Sequence, residues 1–268
     1  MARSLSLVDA VGTAAIGWIT YVLEIAALVG LGLARLATRG GTRPVTRTVL
    51  RKQVLFTGIQ AVPFIAFLAL LTAASLVVQA QVGLAGFVQS DLFGHLLVVV
   101  LVREVGPLIV ALVVIARSGT AIAAEMANMQ VTHEIRGLEL AGIDPFDYLV
   151  IPRLGGVCLA LMCLTLLYIA VSLAGGYLMA HAFQVPGAPD AGQFITMIAR
   201  ALSPSDLWVV PAKTVVPGLL IAAIACREGL HCGTSVTAVP RATTYSVVRS
   251  ITAVFLWDAL ITTVTYAA

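Results

Sequence analysis

The stretch LVREVGPLIVALVVIARSGTAIAAEM, Leu101–Met126, is apolar enough for a membrane helix. Yet it carries Arg103 and Glu104 side by side, then Arg117 and Glu125. Lys213 and Asp258 each interrupt another apolar run. Ionisable groups inside a bilayer are costly, and they face a bundle interior or a watery cavity. Neighbours on a helix point about 100° apart, so Arg103 and Glu104 each need a separate partner. Counted from the same end, Arg103 and Glu104 lie roughly 11 Å into their span and Lys213 roughly 9 Å into its own. Asp258 comes from the opposite end and falls near the middle of its run. Arg103, Glu104, Lys213 and Asp258 can therefore share one layer, two positive and two negative groups contributed by three helices. Such a layer is either a buried salt-bridge network that fixes helix register or the polar wall of a substrate cavity. Pro107 follows Glu104, and Pro211 and Pro217 flank Lys213. Prolines release backbone carbonyls and are tolerated in membranes where other groups satisfy them, which favours the cavity. Arg117 and Glu125 lie toward the other end, where long side chains snorkel or pair across helices.

The elements that must position these groups are helices. Of 268 residues, 60% are hydrophobic and 11% charged, with a mean hydropathy of +1.01. A soluble domain carries roughly 25% charged residues, so the chain is an integral membrane protein. A bilayer core takes about 20 apolar residues per helix. Gln53–Gln79, Leu96–Glu125, Leu154–Ala182, Leu207–Cys226 and the slightly short Ile251–Ala267 meet or approach that length. Basic residues follow the loops alternately. Arg35, Arg39, Arg43, Arg47, Arg51 and Lys52 precede the first span, and 80–95 has none. Arg136 and Arg153 come next, then only Arg200, then Arg227, Arg241 and Arg249. The positive-inside rule then puts the N-terminus in the cytoplasm and the C-terminus outside.

Leu5–Leu36 is apolar but contains Asp9 and Glu24. At helical spacing Asp9, Thr13, Gly17, Thr20 and Glu24 form a stripe roughly 80° wide. Such a helix lies in the interface plane or forms a sixth span with its stripe turned to the bundle; the first reading is preferred. The N-terminus lacks the features of a cleavable signal or a transit peptide.

Between the second and third spans, Thr132–Ala141 reads as a short amphipathic helix. Ile135, Leu138 and Leu140 are set against Glu134, Arg136 and Glu139. Gly142 ends it and Asp144-Pro145 turns the chain. Position 135 is isoleucine, so Thr132 does not open a capping box. The helix is either a connector or a docking element for a soluble partner.

Other chemistry is not indicated. There is no phosphate-binding P-loop, metalloprotease or hydrolase motif. No basic tract suggests nucleic acid. Cys158, Cys163, Cys226 and Cys232 have neither zinc-site nor disulfide-framework spacing, and read as packing residues. Neither catalytic residues nor metal ligands are assigned. His95, His133, His181 and His231 sit at span ends or in loops. Gly119, Ala123 and Ala127, and Gly176 with Ala180, are spaced for close helix contact.

Three stretches together carry a resemblance. They are REVGPLIVALVVIARSGTAIAAEM, MQVTHEIRGLELAGIDPFDYLVIPR, and RATTYSVV with the downstream WDALITT. From about Arg51 to the C-terminus the chain resembles the MlaE/YrbE permeases, membrane subunits of ABC transporters that work with MCE-domain proteins. The resemblance implies an all-α integral membrane fold, dimeric, with an N-terminal interfacial (elbow) helix and five transmembrane helices. Residues 1–52 would form the interfacial helix and basic segment, and residues 53–268 the permease domain. It implies movement of phospholipid or a related lipid between a bacterial inner membrane and the periplasm or cell envelope. The chain would bind no cofactor itself, ATP being hydrolysed by a separate cytoplasmic subunit.

On this resemblance Thr132, His133, Glu134, Ile135, Arg136, Leu138 and Glu139 belong to the coupling helix that sits on the ATPase. Arg103, Glu104, Lys213 and Asp258 match charged positions near the lipid cavity. The partners are the ATPase, a ring (hexameric in expectation) of MCE protein, a second copy or paired permease, and membrane lipid. Two features depart from the family pattern. Thr132-His133-Glu134 stands where T-E-Q is usual, and GTSVTAVPRATT replaces a glycine-rich run, with Pro240 before Arg241. The alternatives are an ATP-independent secondary transporter using the charged layer for ions, which five spans without an inverted repeat argue against, and a membrane scaffold.

Overall fold

The computed structural model describes residues 2–39, 44–83, 91–183 and 189–267, with side chains masked over part of these. The order is α1 (Ala2–Arg39), α2 (Pro44–Thr57), α3 (Val62–Gly83), α4 (Asp91–Leu97), α5 (Val105–Val114), α6 (Thr120–Val131), α7 (Glu134–Leu140), α8 (Ile151–Ala182), α9 (Ala191–Ala201), α10 (Asp206–Leu230) and α11 (Ala238–Ala267). No strand occurs among the described residues. Six helical stretches are long and apolar enough to cross a membrane: Ile16–Arg35, Thr48–Gln79, Gly94–Val131, Phe146–Ala182, Asp206–Leu230 and Ala238–Thr265. Four of the last five contain the spans expected from sequence and extend them at one or both ends, and the fifth overlaps the expected Ile251–Ala267 while starting at Ala238. The run expected to be short is part of a 30-residue helix.

α10 is the axis. It packs against α6, α8 and α11, while α8 also packs against α2 and α3. Between helices in lipid there is no hydrophobic driving force, so association relies on close van der Waals packing of small residues. α10 supplies them in Gly218, Ala222, Ala223, Ala225 and Gly229, all buried. A side chain at Gly218 would run into the backbone of Cys158 on α8; one at Gly229 would run into Met126 and the Ala123 carbonyl on α6. Gly119 approaches Ile221. On α8 it is Gly175 that meets a neighbour, Leu70, while nothing lies close to Gly176. The outer faces are apolar and exposed, including Phe64, Phe67, Leu71, Leu159, Leu166, Phe255 and Leu256, the surface a bilayer covers.

The long helix Asp91–Val131 is not a uniform α-helix. Two π-helical segments, Val98–Glu104 and Ile115–Gly119, interrupt it, and a third, Phe146–Val150, leads into α8. Such segments shift side-chain register and frequently occur at functional sites.

α1 carries exposed Ile16, Trp18, Ile19, Val22, Leu23, Leu31 and Leu33. Its packed stripe is Tyr21, Ile25, Leu28, Val29 and Gly32. Glu24 pairs with Arg227 at the end of α10, and Tyr21 lies under the guanidinium groups of Arg227 and Arg249 at 4.2 and 4.5 Å. Arg35 bonds Asp144 at 2.8 Å and Asp147 at 2.6 Å and stacks on Phe146. These described polar anchors all sit at the end of the bundle that carries the basic loops. Thr20 bonds its own backbone at Ile16 and Glu24 reaches the bundle; the side chains of Asp9, Thr13, Arg39, Arg43 and Arg47 lie outside the described residues.

Between the third and fourth expected spans, where the sequence pattern indicates only a connection, lies α9. A capping box between Asp190 and Gln193 opens it, and it packs on α4, with Met197 against Gly94.

Candidate functional site: a buried charged layer

Lys213 is the centre. Its side chain is 1% exposed, on the axial helix α10. Nζ donates to Glu104 Oε2 at 2.8 Å, to the Arg103 carbonyl at 3.0 Å and to Thr262 Oγ1 at 2.7 Å, and Asp258 Oδ1 lies 3.1 Å away. Thr262 Oγ1 stands 3.2 Å from both Glu104 oxygens and donates to that carboxylate. An ammonium has three N–H donors, and all three are used. The carbonyl it meets has a local cause. Pro107 has no N–H to offer the carbonyl four residues back, which is that of Arg103. The lysine takes that place.

Glu104, Lys213 and Asp258 thus come together from three helices, as their depths imply. Arg103 does not join them through its guanidinium. It turns to Asp206, with Nε 2.6 Å from Oδ1 and Nη2 donating to Oδ2 at 3.0 Å. The two-against-two layer is therefore corrected to a pair, Arg103–Asp206, beside a triad, Lys213–Glu104–Asp258. Arg103 and Glu104 do take separate partners, as helix neighbours must; what the spacing did not supply is that the partner of Arg103 is Asp206. Asp206 and Thr262 went unrecognised. Asp206 looked like the end of a loop, although it opens α10 and also accepts from the Ser203 N–H. Thr262 carries no charge to flag it. Trp257 Nε1 donates to the Ala212 carbonyl at 2.9 Å, tying α11 to α10 one residue before Lys213.

Chemically, the layer is an ionic junction, in which Arg103 Nε and Asp206 Oδ1 meet as an ion pair without hydrogen-bond geometry. Both cations are held by carboxylates, and Glu104, 28% exposed at its side chain, is the most open of the triad. Nothing in it forms a nucleophile–base pair, and no group of three metal-binding side chains occurs among the described residues.

Toward the other end, Arg117 donates to Gln60 Oε1 at 2.5 Å and stacks over Phe56, and Glu125 pairs with Arg153 at 2.8 Å. Both pair across helices. Below them α7 has no buried residue. Ile135 and Leu138 lean on the core, while Glu134, Arg136 and Glu139 are exposed. Leu140, expected on the apolar face, is 85% exposed. The helix starts at Glu134, with His133 as its left-handed N-cap; Thr132 ends α6, bonding Asn128 O and Glu134 Oε1. At its end Gly142, φ +73°, bonds Glu139 O while the Ile143 N–H reaches Leu138 O, a Schellman closure that requires the left-handed glycine. Asp144 Oδ1 then accepts the Phe146 N–H.

The four cysteines are free thiols in this geometry, and Cys158 Sγ lies 3.7 Å from the Val215 carbonyl on α10.

Comparison with known proteins agrees with this architecture. The family model "Permease MlaE" matches residues 50–264. A probable ABC transporter permease of Rickettsia conorii is 32% identical over 219 residues, 82% of this chain and 83% of that protein. The intermembrane phospholipid transport system permease protein MlaE of Haemophilus influenzae is 28% identical over 221 residues, 82% of this chain and 84% of its own length. The chloroplastic protein trigalactosyldiacylglycerol 1 of Arabidopsis thaliana is 36% identical over 169 residues, 62% of this chain and 46% of that protein. With the matched region running from α2 nearly to the end of α11 and enclosing both the charged layer and α7, the chain belongs to the MlaE family of ABC transporter permeases.

Proposed function

We propose that this chain forms the lipid path of an ABC transporter that moves phospholipid between the bacterial inner membrane and the cell envelope, driven by a separate ATPase. The observation that carries the reading is mechanical. One interrupted helix, Asp91–Val131, joins the Lys213 junction at one end to exposed α7 at the other. Movement imposed on α7 reaches the layer through that helix, and its π-helical segments are where it can change register.

In this reading the basic-loop end is cytoplasmic and the C-terminus lies outside. α1 lies along the cytoplasmic interface, since its described anchors are all at that end. Two copies, identical or paired, enclose the lipid cavity, and an MCE ring receives or delivers lipid. Arg103 and Lys213 are held by Asp206, Glu104 and Asp258 while the cavity is empty. An anionic headgroup competes for them when lipid enters, since guanidinium and ammonium both bind phosphate. ATP-driven closure of the ATPases pushes α7, with Thr132, His133, Glu134, Ile135, Arg136, Leu138 and Glu139 at or beside the contact, and narrows the cavity.

The test is movement of a labelled phospholipid in liposomes holding the permease and its ATPase. Movement should require ATP hydrolysis, and Leu140→Asp should abolish it while leaving the permease folded, since that side chain is already in solvent. Equal lipid movement without the ATPase would overturn the proposal.

A further inference from the structure

A cavity of about 260 Å³ opens between α2, α6 and the start of α8, at the basic-loop end and far from the Lys213 junction. It is lined by Lys52, Gln53, Phe56, Ile122, Glu125 and Arg153, among others. Arg153 is its built feature. The side chain is only 4% exposed. Nη1 donates to the Leu149 carbonyl at 2.8 Å and Nη2 meets Glu125 at 2.8 Å. Nε is buried with no hydrogen-bond partner among the described residues. A buried guanidinium with an unmet donor is an unfinished anion site, because its desolvation is repaid only when its N–H groups are matched.

Its counter-ion is unlike it. The Glu125 side chain is 59% exposed, so the carboxylate can turn into water while the guanidinium cannot. Lys52 stands exposed at the rim, a second cation; Gln53 is committed to Thr57. The site thus has one fixed positive group, a second at its exposed rim, and one displaceable negative group. Its wall continues upward as exposed apolar surface at Phe56 on α2 and at Ile59 in the turn that follows it. Its volume falls just under the roughly 300 Å³ at which small-molecule pockets begin, enough for a headgroup with its tails outside.

We propose that this cavity binds the phosphate of an anionic phospholipid of the cytoplasmic leaflet. The phosphate displaces Glu125 from Arg153 and meets Lys52, and the acyl chains lie along Phe56 and Ile59. Basic pockets between spans on the cytoplasmic side are suited to lipid headgroups, and guanidinium matches phosphate bidentately. Occupancy here ties α2, α6 and α8 together directly above α7. The site is therefore placed to make the transmission helix sensitive to inner-leaflet composition. The inference rests on the orientation given under Proposed function, not on transport.

Lys52 and Lys213 are the only lysines of the chain, and Lys213 is buried, so acylation of Lys52 reports the site alone. The full chain would be placed in phosphatidylcholine nanodiscs with and without phosphatidylglycerol, and Lys52 acylation read by peptide mass spectrometry. Phosphatidylglycerol should slow labelling several-fold in the wild type. The protection should vanish in Arg153→Gln, and in Glu125→Gln it should appear at a lower phosphatidylglycerol fraction. Equal labelling in both discs, or Arg153→Gln protected like the wild type, would overturn the proposal. Should Arg153→Gln fail to fold, an unchanged phosphatidylglycerol requirement in Glu125→Gln overturns it equally. Protection by inorganic phosphate in pure phosphatidylcholine, without a phosphatidylglycerol effect, would contradict the lipid assignment and identify the ligand as free phosphate. No ATPase is present, so failure here leaves the transport reading standing.

Discussion

Lys213 decides the behaviour of the charged layer, because two carboxylates, one carbonyl and one hydroxyl converge on a single ammonium. Lys213→Ala leaves Glu104 and Asp258 facing one another without a counter-charge. Breaking a buried pair in this way costs about 3–5 kcal/mol, so the variant should melt well below the wild type and lose lipid movement; a melting curve within error of the wild type would contradict the network. A gentler prediction concerns Asp144, which lies outside the spans. The hydrogen bond from Arg35 holds its carboxyl below the usual carboxylate range. A depressed folded-state pKa stabilises fully above the unfolded value, about 3.9, and that stabilisation is lost as pH falls through the lower folded value. Both partners are substantially exposed, so the effect is small. It should appear as faster hydrogen exchange near Arg35 in acid, an acid dependence that Arg35→Gln removes.

At the scale of elements, the triad was legible because charges in apolar runs are rare and their depths can be counted. The Arg103–Asp206 pair was not, because Asp206 stands where loop and helix meet and so is not flagged as a charge inside an apolar run. α9 could have been found from Asp190 and Gln193 at capping-box spacing, but membrane-length windows pass over an 11-residue helix. α7 and its glycine stop were readable from residue types, yet its N-cap was not, since His133 caps by backbone conformation alone. The close contacts of α10 carry their own prediction. Gly229→Leu would drive a side chain into Met126 and the Ala123 backbone, and overpacking costs about 1–3 kcal/mol or more. Thermal melting of the purified variant should show that loss, whereas Gly137→Ala on α7, with open space around it, should match the wild type.

The whole molecule is a bundle in which one interrupted helix, Asp91–Val131, runs from the buried polar junction at Glu104 to exposed α7, with Glu24 and Arg35 tying α1 to the basic-loop end. Composition was enough for the membrane class, whereas the orientation read from the loop charges and the assembly around the chain belong to the proposed function. The most direct test of the central claim is purification of the native complex in mild detergent, with mass spectrometry of its proteins and lipids. An ABC ATPase and phospholipid in one particle with this chain is the predicted result. A stable particle without any ATPase would contradict it.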